Sequence, residues 1–170
     1  MAVLPVLTWP DPRLRQPAQP VEGFGGELAE LVGHLWDTLR AGPPGSVGLA
    51  APQVGHALRV ALVDCGAARR PVPNHGPLVL VNPEILSWEG LAVGREGCLS
   101  VPDLTGRVVR AEAVEVEALD ERGRRRRYRF RGFEARVVQH EVDHLDGLLF
   151  LDRLVSRRAD LRPRGGDGRR

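Results

Sequence analysis

The sequence contains no lysine: all 24 basic residues among its 170 are arginine, and the net charge is only +2. A net charge this small produces little long-range electrostatic field, so no specific nucleic-acid partner is predicted. The two cysteines, Cys65 and Cys98, are too few to form a disulfide framework in a chain of this size. Each cysteine is therefore interpreted as a core residue, a metal ligand or a nucleophile.

Long apolar segments are also missing. No run approaches the roughly 20 residues that span a bilayer, and Met1–Pro5 lacks the basic and apolar regions of a secretory signal. We therefore expect a cytoplasmic protein with no membrane partner. Hydrophobic residues make up 42% and charged residues 27% of the sequence, which is typical of a globular protein. The length favours a single domain over residues 1–155, followed by a flexible Arg/Gly-rich tail over residues 156–170.

Two segments carry the three- and four-residue hydrophobic spacing of α-helices. Residues 27–40 have an apolar stripe from Leu28 to Leu39, which predicts an N-terminal amphipathic helix. Residues 133–146 predict a second helix, which Gly147 terminates. Strands are predicted between them at residues 58–64, 78–82, 84–88, 91–95, 107–110, 113–119 and 124–131. This order predicts an α+β fold with mixed or antiparallel sheets packed around a central second helix.

Two pairs of these strands are predicted to form hairpins. Segments 84–88 and 91–95 flank Glu89-Gly90, a turn sequence. Segment 113–119 carries glutamates, whereas segment 124–131 carries arginines on one face. Cross-strand ion pairs explain this arginine-rich strand without a nucleic-acid partner, and an anionic partner at the same surface is the alternative interpretation.

The second helix contains an H-E-x-x-H pattern, which begins at His140 and ends at His144. At roughly 100° per residue, the two histidines lie about 40° apart on one face and one turn apart along the axis. Two imidazoles in this arrangement can bind one metal ion. Glu141 lies close enough to contact a metal-bound water molecule without being a ligand. Spacing alone does not choose between Glu141 and Asp143, but the pattern favours Glu141.

A catalytic metal site of this kind needs a third protein ligand, and the best candidate lies upstream. Cys98 lies between Gly97 and Pro102, which predict an irregular segment rather than the middle of a strand. A thiolate and two imidazoles suit a divalent transition metal, and three protein ligands leave a fourth position for water. Cys65 ends a predicted buried strand and is interpreted as a core residue.

Three segments of the chain together resemble the motifs of the peptide deformylases. The family motif G-φ-G-[LI]-A-A-x-Q, in which φ is apolar, corresponds to Ser46–Gln53. The motif E-G-C-[LI]-S corresponds to Glu96–Ser100, and Q-H-E-x-D-H corresponds to Gln139–His144. All three occur in the family's order, and the resemblance extends over roughly residues 4–155.

The resemblance implies a metal-dependent hydrolase. Family members remove the formyl group from the N-terminal formyl-methionine of newly made polypeptides and release formate. Glu141 is implied to accept the proton of the attacking water, and Gln53 and the backbone N–H of Leu99 to donate hydrogen bonds to the oxyanion. Fe²⁺ is the metal that the family usually uses, and Zn²⁺, Ni²⁺ or Co²⁺ would suit the same ligands. The implied metal ligands are Cys98, His140 and His144.

The resemblance also indicates where the substrate binds. The methionine side chain requires an apolar pocket, and the backbone around Gly48 is expected to pair with the peptide as an added strand. Nascent chains are the expected partners, with transient contact to the ribosome, although Pro163 interrupts the short tail where many bacterial members have a longer docking helix. The candidate wall residues are Val47, Phe133 and Val137.

Two departures from the family motifs lie near the expected peptide path. Ser46 replaces the usual glycine, and Thr105 stands where many members carry arginine. They leave the peptide preference beyond methionine open, and they leave room for a formamide on another substrate.

Two further functions are compatible with the sequence. A zincin-type endopeptidase would take its third ligand from an acid or histidine downstream of His144. A non-enzymatic module would use the metal structurally and bind RNA through the arginine-rich strand.

Overall fold

The computed structural model of the chain describes residues 1–164. The helices are α1 (Gly26–Arg40), α2 (Gly132–Leu145) and the short α3 (Arg157–Asp160). The strands are β1 (Gly48–Ala50), β2 (Val60–Val63), β3 (Leu78–Glu89), β4 (Ala92–Cys98), β5 (Val101–Arg110), β6 (Ala113–Leu119), β7 (Arg125–Arg131) and β8 (Arg162–Pro163). Within the described residues, no helix combines the length and the apolar character that a membrane crossing requires.

The strands form two antiparallel sheets. One has five strands in the order β1-β2-β3-β6-β7, and the other has three strands in the order β4-β5-β8. Helix α2 packs against β1, β2 and β7 of the larger sheet. The predicted combination of helices with antiparallel sheets is confirmed, and the two predicted long helices are observed within one residue of their expected bounds.

Two hydrophobic clusters hold the helices on the larger sheet. The first joins α1 to the first strands and includes Leu35, Leu49 and Leu62. The second joins α2 to the last strands and includes Phe130 and Val138. Each fully buried side chain of this size contributes about 1.5–3 kcal/mol. Packing on the sheet therefore fixes the position of the helix that carries the H-E-x-x-H pattern.

The hairpin predicted over residues 84–95 is wrong. Strand β3 continues to Glu89 and pairs with β6, so that Glu89 lies opposite Ala113. Strand β4 leaves this sheet and pairs with β5 instead. Hydrophobic alternation identifies a strand, but the partner is chosen by contacts that are distant in sequence and leave no local signal.

Strand β3 joins the two strands predicted at residues 78–82 and 84–88, because the chain forms a bulge around Pro83 and does not end the strand there. The β3–β6 register shifts between Val81 and Glu84. At this shift, Asn82 adopts a positive φ of 49°, and its side chain bonds to the backbone N–H and carbonyl of Val21 at 2.8 and 3.0 Å. A bulge accommodates the missing N–H of proline, so the strand continues beyond it.

The described part of the C-terminal segment is folded against the smaller sheet. Strand β8 pairs with Leu104 and Thr105 of β5. Asp160, at the end of α3, is buried and lies 3.5 Å from Arg107. This differs from the flexible tail predicted for residues 156–170, because such short elements depend on distant partners. The rest of that prediction, residues 165–170, lies outside the described residues.

Candidate active site

Three side chains converge between the end of β4 and one face of α2. The Sγ of Cys98 and the ring nitrogens of His140 and His144 all lie within 4.8 Å of one another. The shortest separation, from the Cys98 Sγ to the His144 Nε2, is 3.3 Å. Metal–ligand distances of about 2.0–2.3 Å place neighbouring donors of a tetrahedral site roughly 3–4 Å apart. The cluster therefore fits a single divalent cation.

The surroundings of the cluster act differently on its two imidazoles. All three side chains are buried, and burial lowers the pKa of His144 well below its ordinary value. Burial would lower the pKa of His140 as well, but the hydrogen bonds to Cys98 and Glu96 raise that pKa above its ordinary value. Cys98 is the last residue of β4 and pairs with Val101 of β5. The irregular segment predicted around Cys98 is observed as a register shift between Glu96 and Cys98 and as the two-residue turn that follows Cys98.

Glu96 orients one of the histidines and was missed by the sequence reasoning. Its Oε1 lies 2.8 Å from the Nδ1 of His140, and Arg110 donates two hydrogen bonds of 3.0 Å to the same carboxylate. Burial alone would raise the pKa of Glu96, but the hydrogen bonds from His140 and Arg110 hold that pKa below its ordinary value. The available signal was the spacing, because residues two apart on a strand share a face, and Glu96 is two residues before Cys98.

Asp143 belongs to the same buried network and not to the donor cluster. Its carboxylate lies 2.5 Å from Arg110 and 3.1 Å from Arg153. The carboxylate of Asp143 is therefore held by two arginines, whereas no arginine pairs with Glu141 within the described residues.

Glu141 lies beside the cluster with an uncommitted oxygen. Its Oε1 is buried and has no hydrogen-bond partner within the described residues. Burial raises the pKa of Glu141 to about 7. A Cβ at Gly48 would overlap the Oε2 of Glu141, so only glycine at position 48 leaves room for this carboxylate.

Gln53 presents its amide N–H groups to the same site. It lies in a short 3-10 helix directly after β1, and its Oε1 accepts a hydrogen bond from the backbone N–H of Ala50 at 2.9 Å. Its Nε2 donates to the Oγ of Ser100 at 3.0 Å and to the Sγ of Cys98 at 3.5 Å. These bonds fix the orientation of the amide. Leu99, whose backbone N–H is the second candidate donor, follows Cys98 in the turn between β4 and β5.

A cavity of about 260 Å³ opens beside these groups, and all the residues predicted to contact substrate line it. Its lining joins Cys98, His140, Glu141 and Gln53 to the four residues expected to contact substrate. Val137 is buried, whereas Phe133 is 41% exposed at the opening. The predicted contacts in this lining are Val47, Gly48, Phe133 and Val137.

Other candidate groups lie elsewhere. Cys65 is buried in the core, and burial raises the pKa of its thiol to about 12. Among the downstream acids within residues 1–164, Asp146 pairs with Arg59 at 2.9 Å, and Asp152 pairs with Arg15. No downstream side chain in this range supplies the third ligand that a zincin-type site would need.

Comparisons with known proteins agree with this geometry. The family model described as polypeptide deformylase matches residues 3–160. The peptide deformylase of Chlorobaculum tepidum is 41% identical over 155 residues, covering 91% of this chain and 81% of the relative. That of Thermomicrobium roseum is 45% identical over 158 residues, covering 92% and 89%.

Solved structures are similar as well. The crystal structure of a peptide deformylase from Legionella pneumophila matches with a TM-score of 0.83 and 42% identity, covering 92% of this chain and 90% of that one. A peptide deformylase of Acinetobacter baumannii with bound Met-Ala-Ser has a TM-score of 0.83 at 40% identity, covering 90% and 100%. The chain therefore belongs to the peptide deformylase family.

Proposed function

We propose that this chain removes the formyl group from the N-terminal formyl-methionine of newly made polypeptides by metal-dependent hydrolysis. One observation carries the proposal: the donors of Cys98, His140 and His144 converge beside a cavity that also receives Glu141 and Gln53. We place the catalytic domain at residues 1–155, with the described residues 156–164 packed on it. We expect the protein to act in the cytoplasm, with transient ribosome contact.

The three converging side chains would hold one divalent cation. When bound, the cation supplies a Lewis acid that lowers the pKa of water to near neutrality and polarises a carbonyl group. Fe²⁺ is the proposed metal, and Zn²⁺, Ni²⁺ or Co²⁺ satisfies the same donors. Glu96 holds the ring of His140 through its Nδ1, so that the Nε2 would be the ring nitrogen left to bind the cation.

Glu141 moves the proton. Its buried Oε1, free of hydrogen bonds within the described residues, accepts a proton from the attacking water. The water oxygen then bonds to the formyl carbon, and the carbonyl electrons move onto the formyl oxygen. When the carbon–nitrogen bond breaks, Glu141 returns the proton to the leaving amine, so that formate and a free N-terminus are released. Burial raises the pKa of this carboxyl group above its ordinary value, which suits a group that takes a proton and then returns it.

Gln53 and Leu99 stabilise the negative charge that develops on the formyl oxygen. The Gln53 amide is held near Cys98 because its Nε2 donates a hydrogen bond to the Oγ of Ser100 and its Oε1 accepts one from the backbone N–H of Ala50. Preorganised donors of this kind each contribute about 3–4 kcal/mol to transition-state stabilisation.

The substrate is positioned by the cavity and by the edge of the larger sheet. Val47, Phe133 and Val137 supply apolar walls for the methionine side chain. Strand β1 is an edge strand within the described residues, so the backbone at Gly48 can pair with an extended peptide. The Met-Ala-Ser peptide bound to the Acinetobacter baumannii protein supports a methionine-first peptide as the ligand.

Formate release from formyl-Met-Ala-Ser tests the proposal. Anaerobically Fe²⁺-loaded protein is expected to release one formate per peptide. Glu141→Gln is expected to lose about 10²–10⁴-fold in kcat while retaining its metal, whereas Cys98→Ala is expected to lose the metal.

Glu115→Gln is the matched control, because Glu115 lies on β6 outside the cavity lining. The proposal fails if wild-type protein loaded with its metal releases no formate. Full activity of Glu141→Gln would instead contradict the role given to that residue.

A further inference from the structure

The lining of the active-site cavity includes arginines that no carboxylate of the described residues neutralises. Four arginines line the cavity. One of them, Arg136, is held 2.8 Å from Glu96 and donates to two backbone carbonyls. The other three, here called the rim arginines, are exposed and form no ion pair with a carboxylate of the described residues. The rim arginines are Arg69, Arg95 and Arg164.

Each rim arginine is anchored by neutral oxygen atoms. The Nε of Arg69 donates to the carbonyl of Pro44 at 3.3 Å. The Nη1 of Arg95 donates to the Oγ1 of Thr105 at 3.2 Å, and the Nη2 of Arg164 donates to the carbonyl of Cys98 at 3.2 Å. A guanidinium group has five N–H donors. Most donors on each rim arginine therefore remain available to a ligand.

The charge of the rim is not compensated within the cavity. Among residues 1–164, the only carboxylates in the lining belong to Glu96 and Glu141. Glu96 is already paired with Arg110 and Arg136, and Glu141 is buried at the base. The rim therefore presents a positive field to whatever part of the substrate follows the methionine.

The position of Arg164 places this charge beside the reacting end of the peptide. Its guanidinium contacts the backbone of Cys98, which is a proposed metal ligand, and it would touch a Cβ built at Gly97. An extended peptide advances about 3.3 Å per residue, so the one or two residues after the formyl-methionine pass this rim. Arginine pairs with carboxylates through two parallel hydrogen bonds, which gives such a contact geometric selectivity.

We propose that the rim arginines give this enzyme a preference for substrates with an acidic side chain at the first or second residue after formyl-methionine. The inference rests on the proposed function and names the substrate class within it. Exposed ion pairs are individually weak, so the expected preference is about three- to tenfold in kcat/KM for three arginines acting together. The difference lies mainly in KM, because the contact forms before the chemical step and persists through it.

The test compares peptides that differ in one side chain. Formyl-Met-Ala-Glu, formyl-Met-Ala-Gln and formyl-Met-Ala-Lys are assayed as C-terminal amides. A second set places the same three side chains directly after the formyl-methionine, as in formyl-Met-Glu-Ala amide. The amide removes the terminal carboxylate, so that only the tested side chain carries charge. The expected order of kcat/KM is Glu, Gln, Lys, and the Glu/Gln ratio is expected to approach one at 1 M salt because the rim is exposed.

Variants assign the preference to the rim. Arg164→Gln, Arg95→Gln and their combination with Arg69→Gln are expected to lower the Glu/Gln ratio in steps towards one. The matched control is Arg122→Gln, an exposed arginine in the β6–β7 turn that lies outside the cavity lining. It is expected to retain the wild-type ratio.

The outcomes separate this inference from the proposed function. If the glutamine peptide releases formate normally and wild type shows a Glu/Gln ratio of one or less at both positions, the acidic preference is refuted while the deformylase activity stands. A wild-type preference that survives in the combined variant also refutes the assignment to these arginines. If no peptide releases formate, the proposed function itself fails.

Discussion

Two networks of arginines and carboxylates in this molecule use the same chemistry in opposite surroundings. Around α2, the side chains of Arg110 and Glu96 are only 3% and 6% exposed and lie 3.0 Å apart. On the β6–β7 hairpin, Arg127 and Glu115 lie 2.9 Å apart but are 64% and 31% exposed. The two N–O distances are nearly equal, so the networks differ in how far solvent reaches their charged groups.

Burial determines what each network does. A buried charge that loses its partner keeps the cost of desolvation without the compensating attraction, so the network around Glu96 fixes a geometry. When an exposed ion pair loses one of its residues, water solvates the remaining charge at little cost in free energy. The buried network therefore orients His140, whereas the exposed pairs satisfy the arginine-rich strand, as the pairing interpretation of that strand predicted.

Removing the centre of the buried network is the change with the largest expected effect on stability. Arg110→Met leaves Glu96 and Asp143 without one of their principal partners. The expected loss in the free energy of unfolding is about 3–5 kcal/mol, measured by urea denaturation. Arg127→Met on β7 is the matched exposed control. Equal losses for both variants would contradict the distinction between the networks.

Glu96→Gln tests whether the buried network orients a metal ligand. The amide occupies the same volume but removes the charged partner of His140. Metal affinity is expected to fall about 10–100-fold, the usual effect of changing a residue that holds a ligand in place. Competition with a chelator measures the affinity, with Glu115→Gln as the control. Unchanged affinity would mean that Glu96 does not position His140.

Salt distinguishes the two networks with a smaller effect. Screening at 1 M salt should abolish the small destabilisation caused by Arg127→Met, because the Arg127–Glu115 pair is exposed. The loss caused by Arg110→Met should persist, since solvent ions do not reach the pair. Denaturation of both variants at low and high salt measures the difference. If the stability loss of Arg110→Met also fell at high salt, the ion pairs of Arg110 would have to be accessible to solvent.

The smallest expected effect is the acid response of the exposed pairs. The hydrogen bond from Arg127 lowers the pKa of Glu115 below its ordinary value of 4.5. The contribution of the Arg127–Glu115 pair to the free energy of unfolding is therefore present above pH 4.5 and disappears as pH falls through the lowered pKa of Glu115. The stability difference between wild type and Glu115→Gln should narrow over that range in acid denaturation curves. A difference that widens there would reverse the sign of the shift.

The sequence predicted the parts of the site that depend on local periodicity. His140 and His144 are four residues apart on a helix, and this spacing alone places them on one face. Cys98 was found by the donor chemistry that a third ligand requires and by the family motif around it. These signals needed no knowledge of which strands pair.

The missed features depend on contacts between distant segments. Arg110 reaches Asp143 across 33 positions of the chain, and no local pattern indicates that an arginine on a strand will be buried. The same limit explains why the hairpin predicted over residues 84–95 was wrong. Strand β8 was missed because two residues are too few to produce a pattern.

X-ray absorption spectroscopy of the metal-loaded protein identifies the atoms that bind the cation. We expect one sulfur ligand at about 2.3 Å, two imidazole nitrogens at about 2.0–2.1 Å and at least one oxygen from solvent for a zinc-loaded sample. The sulfur should disappear in Cys98→Ser and remain in Cys65→Ser. A metal without a sulfur ligand, or one saturated by four protein side chains, would contradict the account.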